Sequence, residues 1–196
     1  MRKAWMPVVL PLVLAGCGGS ETTGSGAAPG AGEAAAAEVA ATWATDACKT
    51  LSAEAAGKAA GLAVTKTVEG ANASTNGVNV SSCTYSTEDG VMFTIGLRHD
   101  TMGAATMPEM IAGLTARPDV TGPVEEVPSK NGRAFWTPRL KTLSYLPDDT
   151  RTITVTPPYA KPMGGPAEPK DDDAAAAAEE ATLKAKALAM AEAAAG

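Results

Sequence analysis

The sequence is poor in aromatic side chains and in histidine. Only 4% of its 196 residues are aromatic, and it contains one His. The hydrophobic share of 45% is swollen by alanine, which buries little area per side chain, so we expect a modest core. A single imidazole disfavours most zinc sites and catalytic triads. The composition therefore narrows the range of enzyme classes before any motif is considered.

Positive charge is also in deficit. The chain has 16 Lys and Arg against 22 Asp and Glu, which gives a net charge of −6. Nucleic acids and anionic lipid surfaces are bound through clustered Lys and Arg. We therefore expect no nucleic-acid partner.

The first seventeen residues form an export signal. Arg2 and Lys3 precede a short apolar run, which is followed by the sequence Leu14-Ala15-Gly16-Cys17. The run is shorter than the roughly 20 residues that a spanning helix needs. A charged start, an apolar stretch and small residues before a cleavage point are typical of a signal peptide.

The last four of these residues resemble the lipobox of bacterial lipoproteins. The resemblance implies cleavage after residue 16 and a diacylglyceryl thioether on Cys17, usually with acylation of the new amino terminus. An ordinary secreted protein is the less favoured alternative. Gly18 in place of Asp favours the outer membrane by resemblance to the enterobacterial sorting rule. We expect a palmitate-type anchor and a cell-envelope location: the outer membrane of a diderm host, or otherwise the outer face of the cell membrane.

The chain divides into five segments by composition. A Gly- and Ser-rich stretch after Cys17 cannot bury enough apolar surface to offset its ordering entropy and predicts a flexible tether. The predicted segments are a cleaved signal peptide (1–16), a lipidated linker (17–42), an α+β domain (43–159), a Pro/Gly-rich connector (160–170) and an Ala-rich helix (171–196). Removing Arg2 and Lys3 with the signal peptide takes the formal charge from −6 to −8.

Local patterns predict the elements of the body. Ser52 and Gly61 have the residue types that begin and end a helix. Residues 64–76 are interpreted as a loop with at most one edge strand, and 119–130 as a loop. The remaining predicted elements are helices at 53–60, 106–115 and 174–195 and strands at 78–87, 91–98, 134–138, 140–146 and 150–156. The fold class is therefore α+β, with an antiparallel sheet of about five strands covered by helices on one face.

Two cysteines remain once Cys17 is assigned to lipid. Cys48 and Cys83 form an even pair in an exported chain, and the oxidising environment predicts a disulfide that staples the domain. A redox-active pair is the alternative, but the C-x-x-C spacing is missing. The segments around these cysteines, residues 46–54 and 82–85, resemble a family of small uncharacterised lipoproteins best known from actinobacteria. That resemblance implies an α+β lipoprotein domain and transfers no activity.

Candidate chemistry is sparse. No nucleophile elbow, Walker loop, dinucleotide fingerprint or H-E-x-x-H pair is present, so we expect no enzyme activity, no cofactor and no metal. His99, between Arg98 and Asp100, is expected to be solvated at the end of a strand.

Four residues on the later strands are weighed as a possible binding surface: Arg133, Trp136, Arg139 and Tyr145. Packing of Trp136 beneath the terminal helix is the favoured alternative to its exposure.

The sequence thus predicts a lipid-anchored envelope protein that acts as a non-enzymatic binding or structural module. Its partners are expected to be the membrane, through Cys17, and an unidentified envelope protein or small ligand. The alternative is a carrier of a small ligand or lipid. Such a carrier needs an apolar cavity between sheet and helices, lined by Ile95, Leu97, Ile111 and Leu143.

Overall fold

The computed structural model describes residues 43–101, 106–158 and 173–196, which form an α+β fold. The predicted signal peptide, the tether and the 160–170 connector lie outside these residues. The described helices are α1 (Ala47–Thr50), α2 (Ala53–Ala60), α3 (Thr106–Thr115), α4 (Pro118–Thr121) and α5 (Asp173–Ala195). The strands are β1 (Val64–Thr75), β2 (Val78–Thr87), β3 (Met92–Asp100), β4 (Glu125–Val127), β5 (Arg133–Thr137), β6 (Thr142–Leu146) and β7 (Arg151–Thr156).

The sheet is antiparallel throughout and has seven strands in the order β1-β2-β3-β7-β6-β5-β4. The predicted count of about five strands is therefore wrong. The two additional strands, β1 and β4, are the two edges of the sheet. All but one of the twelve residues of β1 are exposed, so it lacks the alternation that marks a half-buried strand. A three-residue strand such as β4 is too short to show a period.

One face of the sheet carries the core. Alternate residues of the five inner strands point to this face and pack against α1, α2 and α5. The rings of Tyr85 and Phe93 stack there with centroids 5.1 Å apart. The predicted stripe of α5, formed by Leu183, Ala187, Met190 and Ala194, is buried against the same core.

The opposite face, here called the outer face, carries mainly small and hydroxyl side chains. Ser82, Gly96 and Thr154 lie beside one another on β2, β3 and β7. Helix α3 borders this face, because Glu109 and Met110 line a cavity together with Arg98 and Thr152. The sequence had predicted that the helices cover one face of the sheet. That part of the prediction is wrong, because α3 borders the other face.

Short-range signals explain the helix ends near the start of the body. The Asp46 carboxylate accepts the backbone N–H of Lys49 at 3.0 Å and begins α1. The Ser52 hydroxyl accepts the N–H of Ala55 at 3.2 Å and begins α2. Gly61 ends α2 with φ +69°, a left-handed conformation that glycine adopts without a side-chain penalty.

The predicted disulfide is confirmed. Cys48 on α1 is bonded to Cys83 on β2, with their Cα atoms 5.0 Å apart. The Tyr85 hydroxyl also donates a hydrogen bond to the carbonyl of Leu51, at 2.6 Å. Together these two links fix the α1 region to the centre of β2.

Candidate functional site

A polar cavity of about 360 Å³ lies where the end of α5 meets the β6–β7 turn. We call it the end cavity. Its lining comes from the loop before β5, from β6 and the start of β7, and from the last turn of α5: Lys130, Asn131, Tyr145, Pro147, Arg151, Glu192, Ala195 and Gly196. This volume lies at the lower end of the roughly 300–1,000 Å³ typical of small-ligand pockets.

Arg151 is held in a defined orientation at this cavity. Its Nε donates to Asp148 Oδ2 at 2.6 Å, and its Nη1 donates to the carbonyl of Ala195 at 3.3 Å. The guanidinium also lies 5.2 Å from the centroid of the Trp43 ring. The side chain is therefore ordered by three neighbours before any ligand arrives.

Asp148 takes part in the same arrangement. Burial raises its pKa, but hydrogen bonds from Arg151 and Thr150 outweigh that effect and bring the pKa down to about 2. Asp148 is therefore ionised at neutral pH and fixes one edge of the Arg151 guanidinium.

Glu192 supplies the negative charge inside the cavity. Its Oε1 accepts the backbone N–H of Lys130 at 3.2 Å, and its Oε2 lies 3.9 Å from Lys130 Nζ. Burial raises the pKa of Tyr145, the Glu192 carboxylate raises it further, and the Arg151 guanidinium lowers it. The Tyr145 phenol thus lies within the electrostatic reach of both charges.

Trp43 connects this region to the start of the body. Its indole Nε1 donates to the carbonyl of Ala194 at 3.1 Å, while its own carbonyl accepts the Thr50 hydroxyl at 3.0 Å. Trp43 directly follows the predicted tether. The start of the described body therefore lies beside the end cavity, because the Trp43 ring contacts the Arg151 guanidinium.

The four residues weighed as a binding surface do not form one. Trp136 is fully buried under α5, where its indole Nε1 donates to Glu180 at 3.0 Å, so the favoured alternative for this residue is confirmed. Tyr145 is buried on the same face, and its hydroxyl donates to the carbonyl of Asn131. Arg133 lies on the outer face, paired with Glu126 and 4.8 Å from the ring centroid of Phe135, and Arg139 donates to the carbonyl of Asp119.

The strand period explains that separation. Residues 133 and 136 differ by an odd number, so an extended strand places them on opposite faces. An exposed aromatic-cationic patch built from these residues is therefore ruled out.

His99 is buried, with 6% of its surface exposed, and the prediction that it is solvated is wrong. Strand β3 continues to Asp100, so His99 falls on the same face as Leu97. It is aligned with Asn79 on β2 and with Arg151 on β7. Among the described residues, its Nδ1 has no hydrogen-bond partner.

The remaining predicted site residues lie in three places. Cys17 is outside the described residues, while Cys48 and Cys83 form the disulfide. Ile95, Leu97 and Leu143, offered as lining for a carrier cavity, are buried in the core, at most 2% exposed. Ile111 is on α3, which borders the outer face.

The residues of the end cavity were missed by sequence reasoning. Lys130, Arg151 and Glu192 are far apart in sequence and match no spacing motif, so only the fold brings them together. Within the described ranges, no group of three His, Cys, Asp or Glu residues is arranged to hold a metal ion. None of the helices in these ranges combines the length and apolar character that crossing a membrane requires. Comparisons with protein-family models, with curated proteins and with solved structures find no match to this chain.

Proposed function

We propose that this chain is a lipid-anchored protein of the cell envelope, whose α+β body acts as a non-enzymatic binding or structural module. Cys17 carries the lipid after cleavage of residues 1–16, and residues 17–42 form the tether. The observation that carries the proposal is the Cys48–Cys83 disulfide, taken together with the Leu14-Ala15-Gly16-Cys17 sequence. Structural disulfides persist in the oxidising environments that an export signal leads to.

The physics of the anchor agrees with this proposal. Each buried methylene of an acyl chain contributes about 0.8 kcal/mol, and one chain alone binds a membrane only reversibly. Two or three chains on a single residue give a lasting attachment, so the body needs no membrane-binding surface of its own. Its negative charge is consistent with a body held away from anionic lipid headgroups.

A binding role is favoured by the end cavity. It presents charged groups of both signs in a concave site, and placed polar groups of this kind orient a ligand in its pocket. The carrier alternative receives less support, because Ile95, Leu97 and Leu143 are buried in the core and Ile111 lies apart from them on α3.

The anchor is tested by replacing Cys17 with Ser and labelling cells with a radioactive fatty acid. We expect the variant to lose the label, to keep its signal peptide because the processing enzyme requires the lipidated cysteine, and therefore to migrate at a higher mass. The matched control replaces Cys48 and Cys83 with Ser, which removes both other cysteines and should leave the label in place. A Cys17→Ser protein that still incorporates fatty acid would overturn the proposal. Density-gradient fractionation of the labelled protein then separates the two envelope locations.

The partner is sought by cross-linking the native lipoprotein in cells and identifying what is captured. An envelope protein recovered reproducibly with the wild-type chain, and lost when Cys17 is replaced, would support a module that depends on its anchoring.

A further inference from the structure

The end cavity carries charges whose hydrogen-bonding capacity is only partly used. The Nε of Arg151 donates to Asp148 and its Nη1 donates to the carbonyl of Ala195, whereas its Nη2 makes no hydrogen bond within the described part of the chain. The ammonium of Lys130 is mostly exposed and lies 3.9 Å from Glu192, too far for a tight pair. Both cations can therefore donate to an incoming carboxylate.

Glu192 offers the complementary group. Its Oε1 accepts one backbone N–H, while the Lys130 ammonium, at 3.9 Å, is the only cation of the described residues within salt-bridge range of its Oε2. Its side chain is 23% exposed, so it is partly desolvated. A partly desolvated carboxylate gains more from a cationic partner than a fully solvated one.

The charge balance disfavours a simple anion. Two cations, Lys130 and Arg151, are offset by the carboxylates of Glu192 and of Asp148, which holds Arg151. An anion without a positive group would meet repulsion from both carboxylates. A ligand bearing both charges satisfies Glu192 and the cations together.

The end of α5 brings the two kinds of partner together. Arg151 donates to the carbonyl of Ala195, and Glu192 lies three residues earlier, about one helical turn away. Both side chains line the same cavity, so one small ligand with both charges can contact them together.

We propose that the end cavity binds a small zwitterion of the amino acid or short-peptide class, with the ligand ammonium on Glu192 and its carboxylate on Arg151 and Lys130. This inference gives a ligand class to the binding role proposed above and rests on it. The cavity volume of about 360 Å³ leaves room for short side chains.

The test is a titration of the full-length mature protein in detergent micelles with L-alanyl-L-alanine, followed by amide chemical shifts in NMR. We expect shifts at Asn131 and Gly196, which line the cavity. Acetylating the dipeptide amine or amidating its carboxylate should each weaken binding by about tenfold or more, since each change removes one charge-assisted contact. Alanine titrated in parallel distinguishes a free amino acid from a peptide as the preferred source.

Two variants assign the contacts. Glu192→Gln should abolish the preference for a free amine over an acetylated one, and Lys130→Met should reduce the preference for a free carboxylate over an amide. Glu179→Gln, an exposed position on the same helix, is the matched control and should bind like the wild type. All three changes are on partly or fully exposed side chains, so folding should be preserved.

Equal affinity for the free and the doubly blocked dipeptide, or no shift at any cavity residue at millimolar ligand, would overturn the inference. So would shifts that map away from the cavity. None of these results depends on whether Cys17 carries lipid, which the labelling experiment decides separately.

Discussion

The disulfide should be worth a large share of the stability of this protein. It links residues 35 positions apart, and the chain-entropy model gives about 4 kcal/mol for a loop of that length. Replacing Cys48 and Cys83 with Ala also removes sulfur that is buried at the Cys83 end, which adds about 1 kcal/mol. We therefore expect the double variant to lose about 5 kcal/mol of the free energy of unfolding.

The assay is urea unfolding followed by tryptophan fluorescence, because Trp43 and Trp136 are both buried in the described body. Reduced wild-type protein is the matched control, since it loses the cross-link but keeps both sulfur atoms. The oxidised and reduced wild-type proteins should differ by about 4 kcal/mol, and the reduced protein and the double variant by about 1 kcal/mol. The loss should lower the melting temperature by roughly 10 °C or more.

A second link to β2 makes the result informative about mechanism. The Tyr85 hydroxyl donates to the carbonyl of Leu51, and we expect this hydrogen bond to persist in the reduced protein. Tyr85→Phe should therefore cost more in the reduced protein than in the oxidised one, because fewer links between the α1 region and the sheet then remain. A loss below about 1 kcal/mol on reduction would refute the reasoning, because the cross-link would then not restrict the unfolded chain as assumed.

Three further predictions concern the packing of the body and the ionisation of Asp148. Gly132→Ala should lower the free energy of unfolding in urea by about 3 kcal/mol, because a Cβ there would lie 2.8 Å from Pro147 Cα and closer still to the Leu146 carbonyl. Gly61→Ala is the control: its φ is similar but the space around it is open, so it should cost only about 1 kcal/mol. Equal losses would contradict the steric argument. Trp136→Phe should cost about 2 kcal/mol through lost volume and the lost bond to Glu180, whereas Glu180→Gln, which retains an acceptor, should be nearly neutral. The pKa of Asp148 is about 2 in the folded protein, so its contribution to the free energy of unfolding is present above its unfolded pKa and is lost as pH falls through 2. Between pH 4 and 2 the wild type should lose about 1 kcal/mol more stability than Asp148→Asn, after allowance for solvent screening. Parallel profiles of stability against pH for the two proteins would exclude this role.

The central part of the fold was predictable because its signals are local. The cap at Ser52, the left-handed residue Gly61 and the alternation of Phe93, Ile95 and Leu97 each reflect a preference of a few neighbouring residues. The edge strands lack such signals. The exposure of β1 on both sides removes its periodicity, and the pairing of Glu125 with Trp136 in β4 depends on a partner eleven residues away.

The edge strand β1 also shows how tertiary contacts can form a strand where the local sequence predicts a loop. A bulge between Glu69 and Asn72 brings the Ala71 N–H to the Ser82 hydroxyl at 2.9 Å. A Cβ at position 70 would lie 2.3 Å from that hydroxyl oxygen, so glycine leaves room for this contact at the bulge. The end cavity was hidden for a related reason, because Lys130 and Glu192 are ordinary surface residues until the fold places α5 beside the loop before β5.

The scarcity of large apolar side chains explains how α5 is positioned. Of the residues that it buries, only Leu183 and Met190 are large, and the remainder are alanines, which bury little area per side chain. Directional polar contacts fix its register instead: Trp136 donates to Glu180 in its first half, and Trp43 and Arg151 donate to its last carbonyls. Because Arg151 and Glu192 line the end cavity, the contacts that locate the helix also set the geometry of that cavity. Loosening the helix through Trp43→Phe should therefore change the shape of the end cavity before it unfolds the sheet, because the core beneath α5 would still be in place.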